Sequence, residues 1–298
     1  MIREYYESRR EMVDQHIKKL VKDLGLDIVS ETVLGGKRLR GVLAVLVCEA
    51  LGGKAEDALD AAAAVEIAHA ASLDLDDIVD LDEMRRGKPA TWIAKGLGRA
   101  VLGSHLLVST SLRLVERYGE QAMRLVHRAY NEMVRGELSD IRGGSFYEDI
   151  IRMKTAPIWG AAAALGAIAA GAQDEVVGKA WDYGVSVGMA FQVADDMRDV
   201  LLAVDQGKLL KLLRNPSAIA FLAWLGVKAL FERSPMQVLF GGLRSVIDRA
   251  RETALKKLDE MVERAREAAK ALPSVSNEWK KLLTSYPEFA TQLLMEVG

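Results

Sequence analysis

The amino-acid sequence predicts an all-α fold. Only 6 of its 298 residues are proline, and none precedes Pro89, so long stretches are free to form helix. Alanine-rich segments such as the one from Asp60 to Ala71 have a high helix propensity. Runs of alternating β-branched residues, which are typical of strands, are missing. We therefore predict one domain, residues 1–298, that contains about ten or more helices.

The helices are separated by glycine pairs and by proline-containing turns. In chain order, these breaks fall at Gly35-Gly36, Gly52-Gly53, Arg86 to Pro89, Gly143-Gly144, Asn215-Pro216 and Gly241-Gly242. Between them lie stretches of roughly 12 to 30 residues, longer than the usual helix. The apolar stretch from Ala156 to Ala172 is too short to span a membrane and predicts a buried core helix. The densely charged segment from Asp248 to Leu272 predicts a solvated outer helix.

Composition and charge exclude several classes of protein. Half of the residues are hydrophobic and 28% are charged, which excludes intrinsic disorder and a polytopic membrane protein. The net charge of -2 argues against a nucleic-acid binder. The single cysteine, Cys48, excludes a disulfide scaffold and a cysteine zinc site, and its apolar surroundings predict a buried side chain. The charged first residues lack the apolar stretch of a signal peptide, so we expect a cytoplasmic protein.

An acidic cluster interrupts an otherwise apolar helical stretch. Its members are Asp74, Asp76, Asp77, Asp80, Asp82 and Glu83. On a helix, Asp76 and Asp80 lie one turn apart on one face, and His69 lies two turns before Asp76. Like charges at this spacing repel by a few tenths of a kcal/mol. A divalent cation held by carboxylate oxygens explains the cluster better than solvation does.

A similar acidic pattern returns about 120 residues later, at Asp195, Asp196 and Asp199. Gly184, Gly188, Gln192, Asp195 and Asp199 form one stripe on the predicted helix. The glycines either leave room beside a ligand or let another helix approach closely. Mg²⁺ is the cation that fits best, because it is usually held by one or two carboxylates together with substrate phosphates.

Cations that could hold such phosphates stand beside the glycine turns and the acidic clusters. They are Lys37, Arg38, Arg40, Arg85, Arg86, Lys88, Lys154 and Lys208. Arginine binds phosphate oxygens through a planar fork and lysine as a point charge. The glycine-rich nucleotide motifs are absent from the sequence, which makes nucleotide chemistry a poor explanation.

Together these motifs resemble the trans-isoprenyl diphosphate synthases of the polyprenyl synthetase family, in particular geranylgeranyl diphosphate synthases. The matching stretches are GGKRLR from Gly35, AVEIAHAASLDLDDIVDLDEMRRGKPA from Ala64, KTA from Lys154 and GMAFQVADDMRD from Gly188. The resemblance covers residues 30–210 and implies an isoprenoid synthase fold, a helical bundle around a deep central cavity. It also implies a homodimer without stable membrane insertion. The implied activity joins isopentenyl diphosphate head to tail to an allylic diphosphate.

The resemblance also implies a role for each matching residue. Asp76, Asp80, Asp195 and Asp199 would hold three Mg²⁺ ions, with Asp77 and Asp196 in secondary positions. Arg85, Lys154 and Lys208 would hold the allylic diphosphate, and Thr155 and Gln192 would line the developing allylic cation. Gly36, Lys37, Arg40, His69 and Arg86 would bind isopentenyl diphosphate.

Some residues depart from the family pattern. Leu75 and Ser104 stand where the family commonly has His and Asp, and the segment after Lys208 differs. A catalytically weak partner subunit of a heteromeric synthase is therefore an alternative, although such subunits often lose one acidic motif. A terpene cyclase would normally carry an Asn/Ser/Glu set in place of the second motif.

The resemblance implies that the growing chain runs along the helix of the first acidic motif, so that residues one and two turns before Asp76 limit the product length. These residues, Ser72, Ala71 and Ala68, are all small. Each helical turn is about 5.4 Å long, roughly the length added by one prenyl unit. We therefore expect a product of C20 or longer, with Val65 or a facing helix as the deeper floor.

Overall fold

The structure, a computed structural model, is built almost entirely from α-helices, as the sequence predicts. It describes residues 1–26, 29–85, 87–143, 146–205, 216–225 and 243–296. Thirteen α-helices lie within these ranges. They are α1 Ile2–Asp23, α2 Ser30–Val33, α3 Leu39–Ala50, α4 Leu59–Val79, α5 Thr91–Lys95, α6 Leu97–Glu116, α7 Gly119–Arg142, α8 Tyr147–Lys154, α9 Ala156–Ala169, α10 Asp174–Asp205, α11 Pro216–Trp224, α12 Leu243–Ala271 and α13 Asn277–Met295.

In the described ranges, three short elements lie between the helices. A 3₁₀ turn, Ala55–Ala58, leads into α4, and the strands β1 Met84–Arg85 and β2 Lys88–Pro89 follow α4. The two strands pair antiparallel, with Arg85 opposite Lys88. The hairpin brings Arg85 back onto the end of α4.

Helix α9 lies in the centre of the core. Its residues from Ala156 to Ala167 are all buried, which agrees with the core helix predicted for Ala156 to Ala172. Small residues let its neighbours come close: at Gly166, any side chain would meet the backbone of Ala44 in α3. The tight contact requires glycine there.

The glycine stripe on α10 serves the approach of another helix. A side chain at Gly184 would meet the backbone of Trp159 in α9, and one at Gly188 would meet the Trp159 ring. Of the two interpretations left open by the sequence, the structure agrees with close packing. This contact fixes α10, and with it the second acidic motif, against the core.

Helix α12 is amphipathic rather than wholly solvated. Charged side chains cover its outer face, but Ala254, Leu258 and Val262 are buried. The helix packs against α10 and α13. The helix predicted over Asp248 to Leu272 is thus present on the outside of the fold, and one of its faces completes the core while the other is solvated. In the described ranges, no helix is both long and apolar enough to cross a membrane.

Candidate functional site

The first acidic cluster lies where α4 ends. Asp74 accepts hydrogen bonds from the hydroxyls of Thr32 and Thr91, both at 2.9 Å. Asp77 accepts two hydrogen bonds from Nε of Arg85, at 2.7 and 2.8 Å. Both carboxylates are buried. They tie the end of α4 to α2, to α5 and to the hairpin.

Asp76 and Asp80 have a different environment. In the part of the chain that the structure describes, neither carboxylate takes part in a hydrogen bond or an ion pair. Burial raises the pKa of Asp76 to about 7, and the nearby carboxylates of Glu137 and Asp80 add to the shift. Asp80 is exposed, but its partial desolvation still raises its pKa against the opposing charge of Lys154. Both carboxylates also lie at the C-terminal end of α4, where the helix dipole disfavours negative charge.

Two further carboxylates face this pair from α7. Glu137 and Asp140 lie one turn apart and bind the ammonium of Lys154, at 2.8 and 3.0 Å. Burial alone would lower the pKa of Lys154, but these two carboxylates outweigh burial and raise it. Gly136 allows the contact, because any side chain there would meet the backbone of Lys154. Glu137 and Asp140 were not predicted from the sequence, although their spacing on one helical face is a detectable signal.

The second acidic motif lies on α10, and its middle carboxylate is held inside the protein. Asp196 accepts hydrogen bonds from the hydroxyl of Tyr147, at 2.5 Å, and from Nε2 of Gln192, at 3.0 Å. The amide oxygen of Gln192 in turn accepts from the hydroxyl of Thr155, at 2.9 Å. Burial raises the pKa of Asp196 to about 7, against the opposing effect of the Tyr147 hydrogen bond. Tyr147 was not predicted, since it lies outside every motif.

The outer carboxylates of this motif, Asp195 and Asp199, pair with Arg198 on the same helix. Nη2 of Arg198 lies 2.7 Å from Asp195 and 2.9 Å from Asp199. Burial and the charge of Asp199 raise the pKa of Asp195, whereas Arg198 opposes this shift.

The two acidic motifs are joined at the junction of α8 and α9. Lys154 contacts the carboxylates beside the first motif, and the next residue, Thr155, contacts Gln192 beside the second. Because Lys154 and Thr155 are adjacent in the chain, the two acidic clusters lie in one region of the fold.

The basic loop before α3 is fixed at several points. Gly35 and Gly36 have φ values of 94° and 95°, a left-handed conformation that favours glycine. The carbonyl of Lys37 accepts a hydrogen bond from the hydroxyl of Tyr6, at 2.6 Å. The Lys37 ammonium donates to the carbonyl of Leu293, at 2.9 Å. The C-terminal helix α13 thus orients a residue predicted to bind substrate.

Arg40 is buried, and its guanidinium lies over two aromatic rings. Cζ is 4.7 Å from the centroid of Trp159 and 5.8 Å from that of Phe191. Arg40 and Lys37 both act to lower the pKa of Asp195. The predicted isopentenyl diphosphate residues therefore lie within electrostatic range of the second motif.

The other residues predicted to bind substrate lie in several different environments. His69 is half-buried on α4, and Gly36 is exposed. Arg86 and Lys208 lie outside the described residues. Arg85, predicted to hold a diphosphate, is bound to Asp77.

The carboxylates of the first motif fit a metal ion whose remaining ligands come from the substrate. Among the described residues, no three His, Cys, Asp or Glu side chains converge closely enough to hold an ion by themselves. Within the described part of the chain, Asp76 and Asp80 are nevertheless two carboxylates without a cation bound to them. A Mg²⁺ ion is usually held by one or two protein carboxylates, while substrate phosphates and water supply its other ligands.

A groove of about 840 Å³ lies between α10, α12 and α13, and Met197 of the second motif lines it, whereas the carboxylates of that motif do not. Its apolar lining includes Leu258, Val262 and Met295. Five carboxylates and two cations also line it: Asp259, Glu260, Glu263, Glu288, Glu296, Lys256 and Arg266. This excess of negative charge disfavours a diphosphate, so the groove is a poor substrate site.

Comparison with known proteins identifies similar chains. The curated short chain isoprenyl diphosphate synthase of Methanothermobacter thermautotrophicus is 35% identical over 212 residues, 64% of each chain. The hexaprenyl pyrophosphate synthase of Saccharolobus solfataricus is 34% identical over 66% of this chain and 71% of its own. The alignment with the first relative thus spans slightly less than two thirds of that protein.

The solved structures agree in fold. The geranylgeranyl pyrophosphate synthetase of the archaeon Geoglobus acetivorans superposes with a TM-score of 0.81 at 24% identity, over 96% of this chain and 99% of that one. The predicted isoprenoid synthase fold is thereby confirmed. Residues 23–225 also match the family model described as polyprenyl synthetase. The chain therefore belongs to the polyprenyl synthetase family.

Proposed function

We propose that the protein is a trans-prenyltransferase that condenses isopentenyl diphosphate with an allylic diphosphate. The observation that carries this proposal is the junction of Lys154 and Thr155, whose side chains contact the surroundings of the two acidic motifs. An allylic diphosphate bound there would meet cations at one end and polar groups near the reacting carbon. We expect the whole chain to act as one catalytic domain, in the cytoplasm.

Mg²⁺ is the expected metal, with Asp76 and Asp80 as its principal ligands and Asp195 and Asp199 on the second motif. When bound, the metal neutralises charge that develops on the departing diphosphate. Asp76 and Asp80 are suited to this task because their pKa values are raised and, among the residues that the structure describes, no cation forms an ion pair with them. Ligand carboxylates must be deprotonated, so metal uptake should release protons.

The remaining residues orient the two substrates. Lys154, Arg85 and Lys208 would bind the allylic diphosphate, and Lys37, Arg40, His69, Arg86 and Gly36 would bind isopentenyl diphosphate. Arg40 keeps a defined position because its guanidinium lies over Trp159 and Phe191. Thr155 and Gln192 form a hydrogen-bonded pair that can turn oxygen atoms toward an allylic cation. Preorganised dipoles of this kind stabilise a charge that forms only during reaction.

The expected product is geranylgeranyl diphosphate or a longer chain. Ser72 lies one turn before Asp76 and is half-buried, and Ala68 lies a further turn away and is also half-buried. Ala71 is fully buried, and Val65 is buried too. No bulky aromatic occupies these positions, which supports C20 or more. The names of the relatives range from short chain to hexaprenyl synthases, so they do not fix the length of the product.

A homodimer is the expected assembly. Four apolar residues are exposed along α7 at helical spacing, namely Tyr130, Val134, Leu138 and Ile141. Leu102 and Leu106 on α6, which packs beside α7, are exposed as well. An apolar stripe of this kind is typical of a surface covered by another copy.

The test of the proposed activity is incubation of the purified chain with Mg²⁺, isopentenyl diphosphate and allylic diphosphates from C5 to C20. Extracted products should be all-trans diphosphates of C20 or longer. Turnover that requires a second, different chain would favour the weak partner subunit. Formation of cyclic hydrocarbon would favour a terpene cyclase. Absence of any elongated product with every substrate, from protein that is folded, would refute the proposal.

A further inference from the structure

Arg38 stands between Lys37 and Arg40 in the basic loop before α3, yet its side chain lies inside the protein. Only 3% of that side chain is exposed. Its Nη2 and Nε donate hydrogen bonds to one carboxylate oxygen of Asp14 on α1, at 3.0 and 3.2 Å. Nη2 also donates to the carbonyl of Val33, at 2.8 Å. By sequence Arg38 is a cation that could hold phosphate, but its guanidinium is bound by the protein itself.

A second carboxylate, that of Glu66 on α4, extends this contact to the start of α3. Its Oε1 accepts a hydrogen bond from the backbone N–H of Gly41, at 2.8 Å. Its Oε2 lies 3.8 Å from Nη1 of Arg38, and only 6% of the Glu66 side chain is exposed. A buried carboxylate is costly unless it has such partners. Helices α1 and α4 and the beginning of α3 therefore meet at one buried guanidinium.

The backbone of Arg38 is in an unusual conformation. Its φ and ψ are 55° and 28°, in the left-handed region, which is unfavourable for a residue that has a Cβ atom. A residue keeps such a conformation only where the surrounding structure holds it there. Gly35 and Gly36 also have positive φ values, but glycine adopts them without strain. At Arg38 the buried ion pair supplies the restraint.

We propose that Arg38 is a positioning residue for isopentenyl diphosphate, because its ion pair fixes the turn that places Lys37 and Arg40. The inference rests on the proposed function, in which these two neighbours bind that substrate. Release of the guanidinium lets residue 38 relax to an ordinary φ, which moves the residues on both sides of it. A displaced cation then loses its close contact with phosphate oxygens. The allylic diphosphate is held by other cations, so its binding should be affected less.

The experiment measures kcat and the KM of each substrate for Arg38→Gln and for a matched control, Arg9→Gln. Arg9 on α1 binds Glu49 at the far end of α3, through Nη2 at 2.7 Å and Nε at 2.8 Å. Each variant therefore removes one arginine ion pair that joins α1 to the region of α3. Only Arg38→Gln removes the pair beside the substrate loop. Calorimetry with isopentenyl diphosphate and Mg²⁺ gives the Kd without turnover, and circular dichroism verifies the fold.

We expect Arg38→Gln to raise the KM and the Kd of isopentenyl diphosphate by about tenfold or more, since a small misplacement of a binding group has effects of this order. The KM of the allylic diphosphate should change little. Arg9→Gln should keep both wild-type KM values. An equal increase for the two substrates, or a KM of isopentenyl diphosphate no higher than in Arg9→Gln, would overturn the inference.

A milder pair of variants serves as the test where Arg38→Gln does not fold. Asp14→Asn removes the charge that binds Arg38, and the Asp14 side chain is 26% exposed, so its loss should be tolerated. Glu49→Gln is the control, because it removes the partner of Arg9. Asp14→Asn should raise the KM of isopentenyl diphosphate several-fold, whereas Glu49→Gln should not. Equal KM values in the two variants would likewise exclude the role of Arg38.

The proposed function fails in a different way. It fails when folded wild-type protein neither binds isopentenyl diphosphate nor forms an elongated product, and the role of Arg38 then fails with it. When the wild type elongates its substrate, an unchanged KM in Arg38→Gln removes only the role of Arg38. The two failures are thus distinguishable in one series of samples.

Discussion

At the scale of single residues, carboxylates a few positions apart have very different partners. Asp77 is bound by Arg85, and Asp196 by Tyr147 and Gln192. Asp76 and Asp80 have no such donors in the described ranges. Stability alone favours paired carboxylates, so the unpaired ones are the best candidates for function.

The first prediction concerns how far the carboxylate of Asp76 lowers the free energy of unfolding of the metal-free protein. In the unfolded chain this carboxyl is charged above its ordinary pKa, whereas in the folded chain its pKa is about 7. Folding therefore loses free energy as pH rises between those two values, and the penalty is complete above pH 7. Asp76→Asn should raise the free energy of unfolding at pH 8 by on the order of 1 kcal/mol.

This effect is measured by urea unfolding in the presence of a chelator. Near pH 4 the wild type and Asp76→Asn should have nearly equal stability. A variant that is less stable than the wild type at pH 8 would contradict the assigned environment of Asp76.

The second prediction concerns Cys48. Its thiol is fully buried, and burial raises its pKa to about 12. Since the thiolate is the reactive form, the native protein should react very slowly with a disulfide reagent at pH 8. Absorbance should report one reactive thiol only after guanidinium is added. A complete reaction of the native protein within minutes would show that α3 opens readily.

At the scale of secondary-structure elements, the acidic ends of α4 and α10 depend on how their apolar parts pack. Gly184 and Gly188 hold α10 against Trp159. The buried alanines of α4 hold that helix against α6, where the hydroxyl of Ser111 donates to the carbonyl of Ala64. Both acidic motifs thus lie on helices that are held in place by close packing.

The third prediction concerns the residues of α4 that we expect to limit the product length. Ser72→Phe should shorten the product by at least one C5 unit, because Ser72 is half-buried and lies on the Asp76 side of α4. Ser72 is a cleaner test than Ala71, whose full burial means that Ala71→Phe would also strain the core. Chromatography of the extracted products gives the length.

Ser8→Phe is the matched control for this change, because Ser8 is exposed on α1. It should leave the product unchanged. An unaltered product from Ser72→Phe would mean that another helix forms the floor.

Much of this architecture can be predicted from local patterns. The break at Gly35-Gly36 and the core helix from Ala156 depend on neighbouring residues, which the sequence displays directly. Glu137, Asp140 and Tyr147 were missed because their partners, Lys154 and Asp196, lie 14 to 49 residues away along the chain. Arg198 was visible inside its motif, but only the folded side chains reveal that it bridges Asp195 and Asp199.

At the scale of the whole molecule, the exposed apolar residues of α6 and α7 predict a homodimer. Leu102→Glu combined with Val134→Glu should yield a monomer in light scattering, because buried charge opposes association. Val275→Glu is the control, since Val275 is 62% exposed in the connection between α12 and α13. A wild type that is monomeric at micromolar concentration, or a double variant that stays dimeric, would exclude this surface.

We propose that both acidic motifs act on one diphosphate together with Mg²⁺. The most direct measurement is the rate of prenyl transfer by the wild type, Asp76→Ala, Asp195→Ala and Asp259→Ala, with and without Mg²⁺. Asp259 lines the separate groove and is the control. We predict product only with Mg²⁺ (or Mn²⁺), losses of orders of magnitude in Asp76→Ala and Asp195→Ala, and little change in Asp259→Ala. Full activity of either motif variant, in folded protein, would contradict the account.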